Sequence, residues 1–229
     1  MTSKLMYAVW DGDAPALHSS DLHAALAAAG ATRLQVNVDD EPVAEAMRIP
    51  TGPASLGPVR AVVSVWVGSA DTAPVVTAAL AAVALVAGWE VEERRPLDPP
   101  EAWDGSRVDA LANVAILRRP ADLSAEEWRH TWLVDHTPVA IATQGTFGYL
   151  QNVVVAPITD LPDGFAPVDA LVEELFLSAA IDDVHAFFGS GGDAAELSDR
   201  MTRLMTSVAR FGADRDLDLV PTSRYLYAL

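Results

Sequence analysis

Apolar and polar positions along this chain follow two periods, one near 2 and one near 3.6, and the two alternate in a fixed order. Leu5 to Trp10 is a short apolar and aromatic run closed by Asp11, Gly12 and Asp13, which predicts a strand and a turn. Ser20 and Asp21 stand in N-cap position before an alanine-rich body that stops at Gly30, the pattern of a helix. Leu34, Val36 and Val38 alternate with polar neighbours across Arg33 to Val38, a half-buried strand. Glu41 to Pro58 ends in prolines and glycines and reads as an insertion or loop. Arg60 to Val67 then predicts a strand, Pro74 to Ala87 a helix with proline in its first turn, and Trp89 to Arg94 a strand. The order is βαββαβ.

After a proline-rich stretch from Arg95 to Gly105 the same order returns. Ala112 to Leu117 is a strand, and Ser124 opens a helix through Gln144, with Glu127 completing a capping box. Tyr149 to Val155 and Leu171 to Leu177 are strands. Between Leu197 and Phe211 the apolar residues fall on one helical stripe, and Leu217 to Leu226 is the closing strand. A βαββαβ unit makes a four-stranded antiparallel sheet with both helices on one face and leaves the other face bare. Residues 1–105 and 106–229 are therefore expected to form an α+β fold of tandem ferredoxin-like repeats, stacked sheet to sheet as an intramolecular dimeric α/β-barrel. A ligand cleft is expected between the two sheets.

Composition narrows the function. Fifteen Lys and Arg against 32 Asp and Glu leave a charge of -17, which repels a phosphate backbone and excludes nucleic acid as a partner. The absence of cysteine removes disulfides, thiolate metal sites, iron-sulfur clusters and cysteine nucleophiles. No apolar run reaches the roughly 18 residues of a membrane span and no signal peptide is recognised, so a soluble cytoplasmic chain is expected. Abundant alanine, with Lys4 the one lysine against 14 arginines, reads as the bias of a GC-rich bacterial genome. His130, His136 and His185 lack a metal-ligand spacing, Asp182, Asp183 and His185 read as a helix cap, and Gly189 to Gly192 reads as a turn. No metal and no cofactor are expected.

Four stretches of the second half carry a family resemblance. They are Ile116 to Pro120; Ser124 to Trp128 with Trp132, His136 and Pro138; Tyr149 to Val153; and Asp169 to Ser178. Together they resemble the EthD family of the dimeric α/β-barrel superfamily, named for ethyl tert-butyl ether degradation. The superfamily implies cofactor-free monooxygenases, isomerases and polyketide cyclases acting on hydrophobic ring compounds, and also includes haem binders. Where the family often has a histidine after Gln-Asn, this chain has Val153. The first half keeps the order of elements without the motifs, so a single asymmetric site is expected.

His136 shares a helical stripe with Trp128 and Trp132 and is the candidate general acid and base, because imidazole titrates near neutrality. The alternative is a structural histidine bonded to a backbone carbonyl freed by Pro138. Tyr149 and Gln151 alternate onto one face of their strand and are expected to hold a substrate oxygen. Glu173, set among Leu171, Leu175 and Leu177, is the second catalytic candidate, setting the histidine's tautomer; Trp128 and Trp132 are expected to contact substrate. Two functions follow from the resemblance and these residues. One is a cofactor-free lyase, isomerase or cyclase acting on a small hydrophobic, polyketide-like compound. The other is a non-catalytic accessory protein that binds such a molecule, and a haem role through His136 or His185 ranks behind both. Association of two chains into a homodimer of pseudo-dimers is left open.

Overall fold

Ser3–Val9, Ala61–Val67 and Ala170–Phe176 are mostly apolar and are buried at nearly every position, on both faces of the sheet, which calls for cover on each side. A computed structural model describes residues 2–11 and 14–229; Gly12 and Asp13, assigned above to the first turn, lie outside the described residues. In chain order the first half contains β1 (Ser3–Val9), α1 (Ala14–Leu17), α2 (Ser20–Ala28), β2 (Ala31–Val38), β3 (Ala61–Val67), α3 (Ala73–Ala81) and β4 (Val86–Leu97). A short β5 (Asp104–Arg107) precedes β6 (Leu111–Leu117), α4 (Ala125–His130), a π-helical turn (Thr131–His136) and α5 (Thr137–Thr143). Then come β7 (Thr146–Pro157), β8 (Ala170–Phe176), α6 (Val184–Phe188), α7 (Ala194–Ala209) and β9 (Leu217–Ala228).

The strands pair antiparallel in the order β2-β3-β1-β4-β7-β8-β6-β9, and β9 pairs again with β2. The sheet is thus an eight-stranded antiparallel barrel, with β5 added where β9 extends beyond β6. Closure removes the free edges that either half would otherwise expose. Each half has the same strand order, β2-β3-β1-β4 and β7-β8-β6-β9, and the halves join through β4 with β7 and β9 with β2. The expectation of two separate stacked sheets is corrected to one continuous sheet.

The cleft expected between those sheets is occupied by side chains. Alternation turns Met6, Ala8, Trp89, Val114, Ile116, Leu171 and Val220 inward, where they pack with Trp10 and Phe165. Beside them lies a buried polar layer. Glu173 accepts from Gln35 Nε2 (3.0 Å) and Asn37 Nδ2 (2.8 Å) and pairs with Arg224 Nε at 3.1 Å. Lys4 donates to Glu93 (2.6 Å) and Asn152 (2.9 Å). Outside the barrel, Leu22 and Leu26 of α2 and Val76 and Leu80 of α3 fill the face made by β1, β2 and β3.

Three boundaries depart from the sequence reading. The alanine-rich run expected to stay helical to Ala87 leaves the helix after Ala81, because β-branched Val86 pairs with Val9 at the start of β4. The stretch after Arg94 continues β4 to Leu97, which lies opposite Tyr149. The 41–58 insertion crosses onto the second half. Its Val43 and Ala46 pack with Leu111, Phe176 and Ala180, and Ile49 exchanges two backbone hydrogen bonds with Leu219 (3.1 and 2.8 Å).

Candidate functional site

Pro138 has no N–H to give and its ring crowds the preceding turn, so the helix opened by the Ser124 and Glu127 capping box cannot run through as one α-helix. It widens into the π-helical turn Thr131–His136 and then resumes as α5. The widened turn separates the three residues expected on one stripe. Trp128 stays in the core, its Nε1 donating to Phe211 O at 3.1 Å. Trp132 and His136 open onto a cavity of about 250 Å³ between the helices and the outer face of β6, β7, β8 and β9.

The floor of that cavity is read from the strand register. Ala115, Val172 and Leu219 lie in one row across β6, β8 and β9, and Leu117 and Leu217 in the next. Toward the other end, Tyr149, Glu174 and Asn113 stand directly opposite one another on β7, β8 and β6. Gln144, just past α5, donates to Glu174 Oε2 at 3.3 Å. The roof is aromatic and aliphatic, from Phe187, Phe188, Leu204, Met205 and Phe211, and Met47 and Ile49 of the crossing insertion reach its edge. An apolar chamber with polar groups gathered at one end is the usual form of a small-molecule site.

The electrostatics are set by burial. His136 is 4% exposed; its Nδ1 lies 3.0 Å from Ser207 Oγ and its ring 4.7 Å from that of Phe211. Burial pulls its pKa down to about 4, so the imidazole is neutral at pH 7. Burial pushes Glu174 up to about 7, against the hydrogen bond from Gln144. The Tyr149 phenol is raised, first by burial and then by the Glu174 carboxylate. Asn113 Oδ1, Gln144 Oε1 and Trp132 Nε1 are buried with no hydrogen-bond partner among the described residues.

The structure brings together three of the six residues singled out from sequence: His136, Trp132 and Tyr149. Gln151 sits behind the wall, its Nε2 donating to Thr137 Oγ1 at 2.8 Å, and Trp128 is core. Glu173 points into the barrel, on the opposite face of β8 from the cavity, so it cannot set the tautomer of His136; Ser207 is the partner of that ring. On β8 the expected face was inverted, because the cavity lies under the helices and not between sheets, whereas on β7 the face chosen, with Tyr149, is the one that reaches it. Alternation alone places Glu174 on the same side as Tyr149 once that is known. Asn113, Gln144 and Met47 carried no comparable signal in the sequence.

Among the described residues no group of three His, Cys, Asp or Glu side chains is placed to hold a metal ion. No helix there is long and apolar enough to cross a membrane. No family profile and no curated protein sequence matches the chain. Solved structures do. An anthrone oxidase-like protein superposes with a TM-score of 0.58 at 11% identity, over 98% of this chain and 90% of that one. The chain has the dimeric α/β-barrel fold. A mutant chlorite dismutase from Candidatus Nitrospira defluvii also aligns, with a TM-score of 0.47 and 9% identity over 97% of this chain and 91% of that one. At such identities the likeness concerns the fold, and the chemistry has to come from the site.

Proposed function

We propose that this chain is an EthD-like pair of tandem ferredoxin-like repeats, 1–105 and 106–229, whose second repeat binds a small hydrophobic ring compound and moves a proton on it. The observation that carries this reading is the cavity under the π-helical turn, α6 and α7, apolar over most of its wall and polar at one end. Its volume of about 250 Å³ lies between a cavity of roughly 150 Å³ that takes benzene and the roughly 300 Å³ at which drug-sized pockets begin. One or two fused rings fit that space. His136 is neutral at pH 7 and its Nε2 has no protein partner among the described residues, so it is free to accept a hydrogen bond from the ligand. Glu174 changes protonation near neutrality and stands on the floor beside Tyr149, which suits it to exchange a proton with an enolisable carbon or a hydroxyl.

Mass spectrometry of small molecules released from the purified protein tests the binding, with Ala115→Phe as the variant that fills the floor. A ring compound is expected from the wild type and not from the variant; equal recovery from both would remove the cavity from the account. Proton transfer is tested by NMR of deuterium exchange at the α-carbon of 1-tetralone in heavy water. Exchange above the buffer rate is expected. Binding of 1-tetralone without faster exchange would decide for a non-catalytic binding protein.

A further inference from the structure

Asn113, Glu174 and Tyr149 are direct cross-strand neighbours, so their side chains form a row at one end of the cavity floor, with Gln144 over Glu174. Two acceptors there, Asn113 Oδ1 and Gln144 Oε1, lie without a hydrogen-bond partner among the described residues, and the Trp132 indole on the roof lies beside the Tyr149 hydroxyl. A few polar groups gathered at one end of an apolar cavity are what orients a ligand's own polar group. Among the described residues no lysine or arginine lines the cavity. A carboxylate or phosphate would enter a chamber with Glu174 and Asp214 on its wall and no cation to meet it.

Resting on the reading of this cavity as a ring-compound site, we propose that Glu174 selects the ligand's head group: an uncharged hydroxyl, enol or carbonyl is admitted and an anion is refused. The ionised carboxylate accepts from a hydroxyl, and the protonated acid donates to a carbonyl. Both forms are present near neutral pH because burial raises the group to about 7. The other titratable groups facing the cavity are His136, drawn down to about 4, and Tyr149, driven up; Asp214 at the mouth is turned toward Arg215 at 3.6 Å. His185, on the helix that carries Phe187 and Phe188, has its ring against Ser190 Oγ at 2.6 Å.

The test is calorimetric titration of the full chain at pH 5.5 and 8.5 with 1-naphthol, 1-tetralone and naphthalene, repeated on Glu174→Gln, which keeps the shape and does not titrate. 1-Naphthol is expected to bind roughly tenfold more tightly at pH 8.5 than at 5.5, 1-tetralone to shift the other way, and naphthalene not to shift. Glu174→Gln should abolish both shifts. Shifts that persist in Glu174→Gln, shifts of one sign for all three probes, or no shift at all would overturn the role of Glu174 while leaving the cavity reading in place. Tighter binding of 1-naphthoate than of 1-naphthol at pH 8.5 would do the same. If none of the probes binds, the cavity reading falls and this inference falls with it.

Discussion

The two halves share a strand order and differ in what stands between sheet and helices. In the first half the helix-facing positions are Leu5, Tyr7 and Val9 on β1, Leu34, Val36 and Val38 on β2, and Val63, Val65 and Val67 on β3, all packed against α2 and α3. In the second half the corresponding strands present Asn113, Ala115 and Leu117, Tyr149, Gln151 and Val153, and Val172, Glu174 and Phe176. Small Ala115 leaves room, the polar residues forgo close apolar contact, and the π-helical turn re-aims Trp132 and His136 over the gap. One strand order is thus packed closely against its helices in the first half and encloses a cavity in the second, where a few residues on one sheet face and one proline in a helix differ.

The contrast is sharpest at two adjacent acids. Glu173, held by Gln35, Asn37 and Arg224 inside the barrel, is part of the scaffold. Glu173→Ala takes away the acceptor shared by Gln35 and Asn37 and leaves the buried Arg224 guanidinium with Glu101 as its one carboxylate partner among the described residues, so it should cost about 3 to 5 kcal/mol, read by urea unfolding. Glu174→Ala removes a carboxylate that burial already disfavours and should change stability by less than about 1 kcal/mol at pH 7. Equal losses at the two positions would contradict the division between scaffold and site. Next in size is Leu80→Ala, which opens a void in the packed half and should cost about 2 to 5 kcal/mol. Ala115→Phe, which fills existing space, should leave the melting temperature nearly unchanged. A large drop for Ala115→Phe would mean that the cavity does not exist in solution.

The site's two titrating groups pull stability in opposite directions. The unfolded chain takes up a proton at His136 near pH 6.5 that the folded chain refuses until about 4, so this group removes stability as pH falls through that window. The folded chain keeps a proton on Glu174 up to about pH 7 that the unfolded chain releases near 4.5, so this group removes stability as pH rises through that window. Relative to wild type, Glu174→Gln should gain roughly 1 to 2 kcal/mol at pH 8 and little at pH 5, because water at the cavity mouth weakens the full shift. His136→Gln should gain in relative terms at pH 5. Parallel pH curves for the three proteins would show that neither group is buried as described. At pH 7 His136→Gln should cost about 1 kcal/mol for the contact with Ser207, with a fall of roughly 10² to 10⁴ in 1-tetralone exchange when the ring takes part in the chemistry.

Much of the frame was legible because it depends on local patterns. The alternation in Leu34, Val36 and Val38, the capping box of Ser124 and Glu127, and the repeated βαββαβ order all correspond to elements in the structure. Closure was less legible, since the pairings of β4 with β7 and β9 with β2 are long-range and leave no local trace. The site was half legible. His136, Trp132 and Tyr149 reach the cavity, but alternation gives two faces without saying which one holds space, and the face with Glu173 was chosen over the face with Glu174. Pro138 signalled a disturbed helix, and whether the helix ends or widens there depends on packing against α7 and β7.

On the proposed function, one half, and only that half, holds a space for a ring compound. Titration of 1-naphthol into wild type and Ala115→Phe, followed by its fluorescence, tests it directly. One site per chain is expected, abolished in Ala115→Phe while the variant melts like the wild type. Two sites per chain, or one site that survives the substitution, would contradict it.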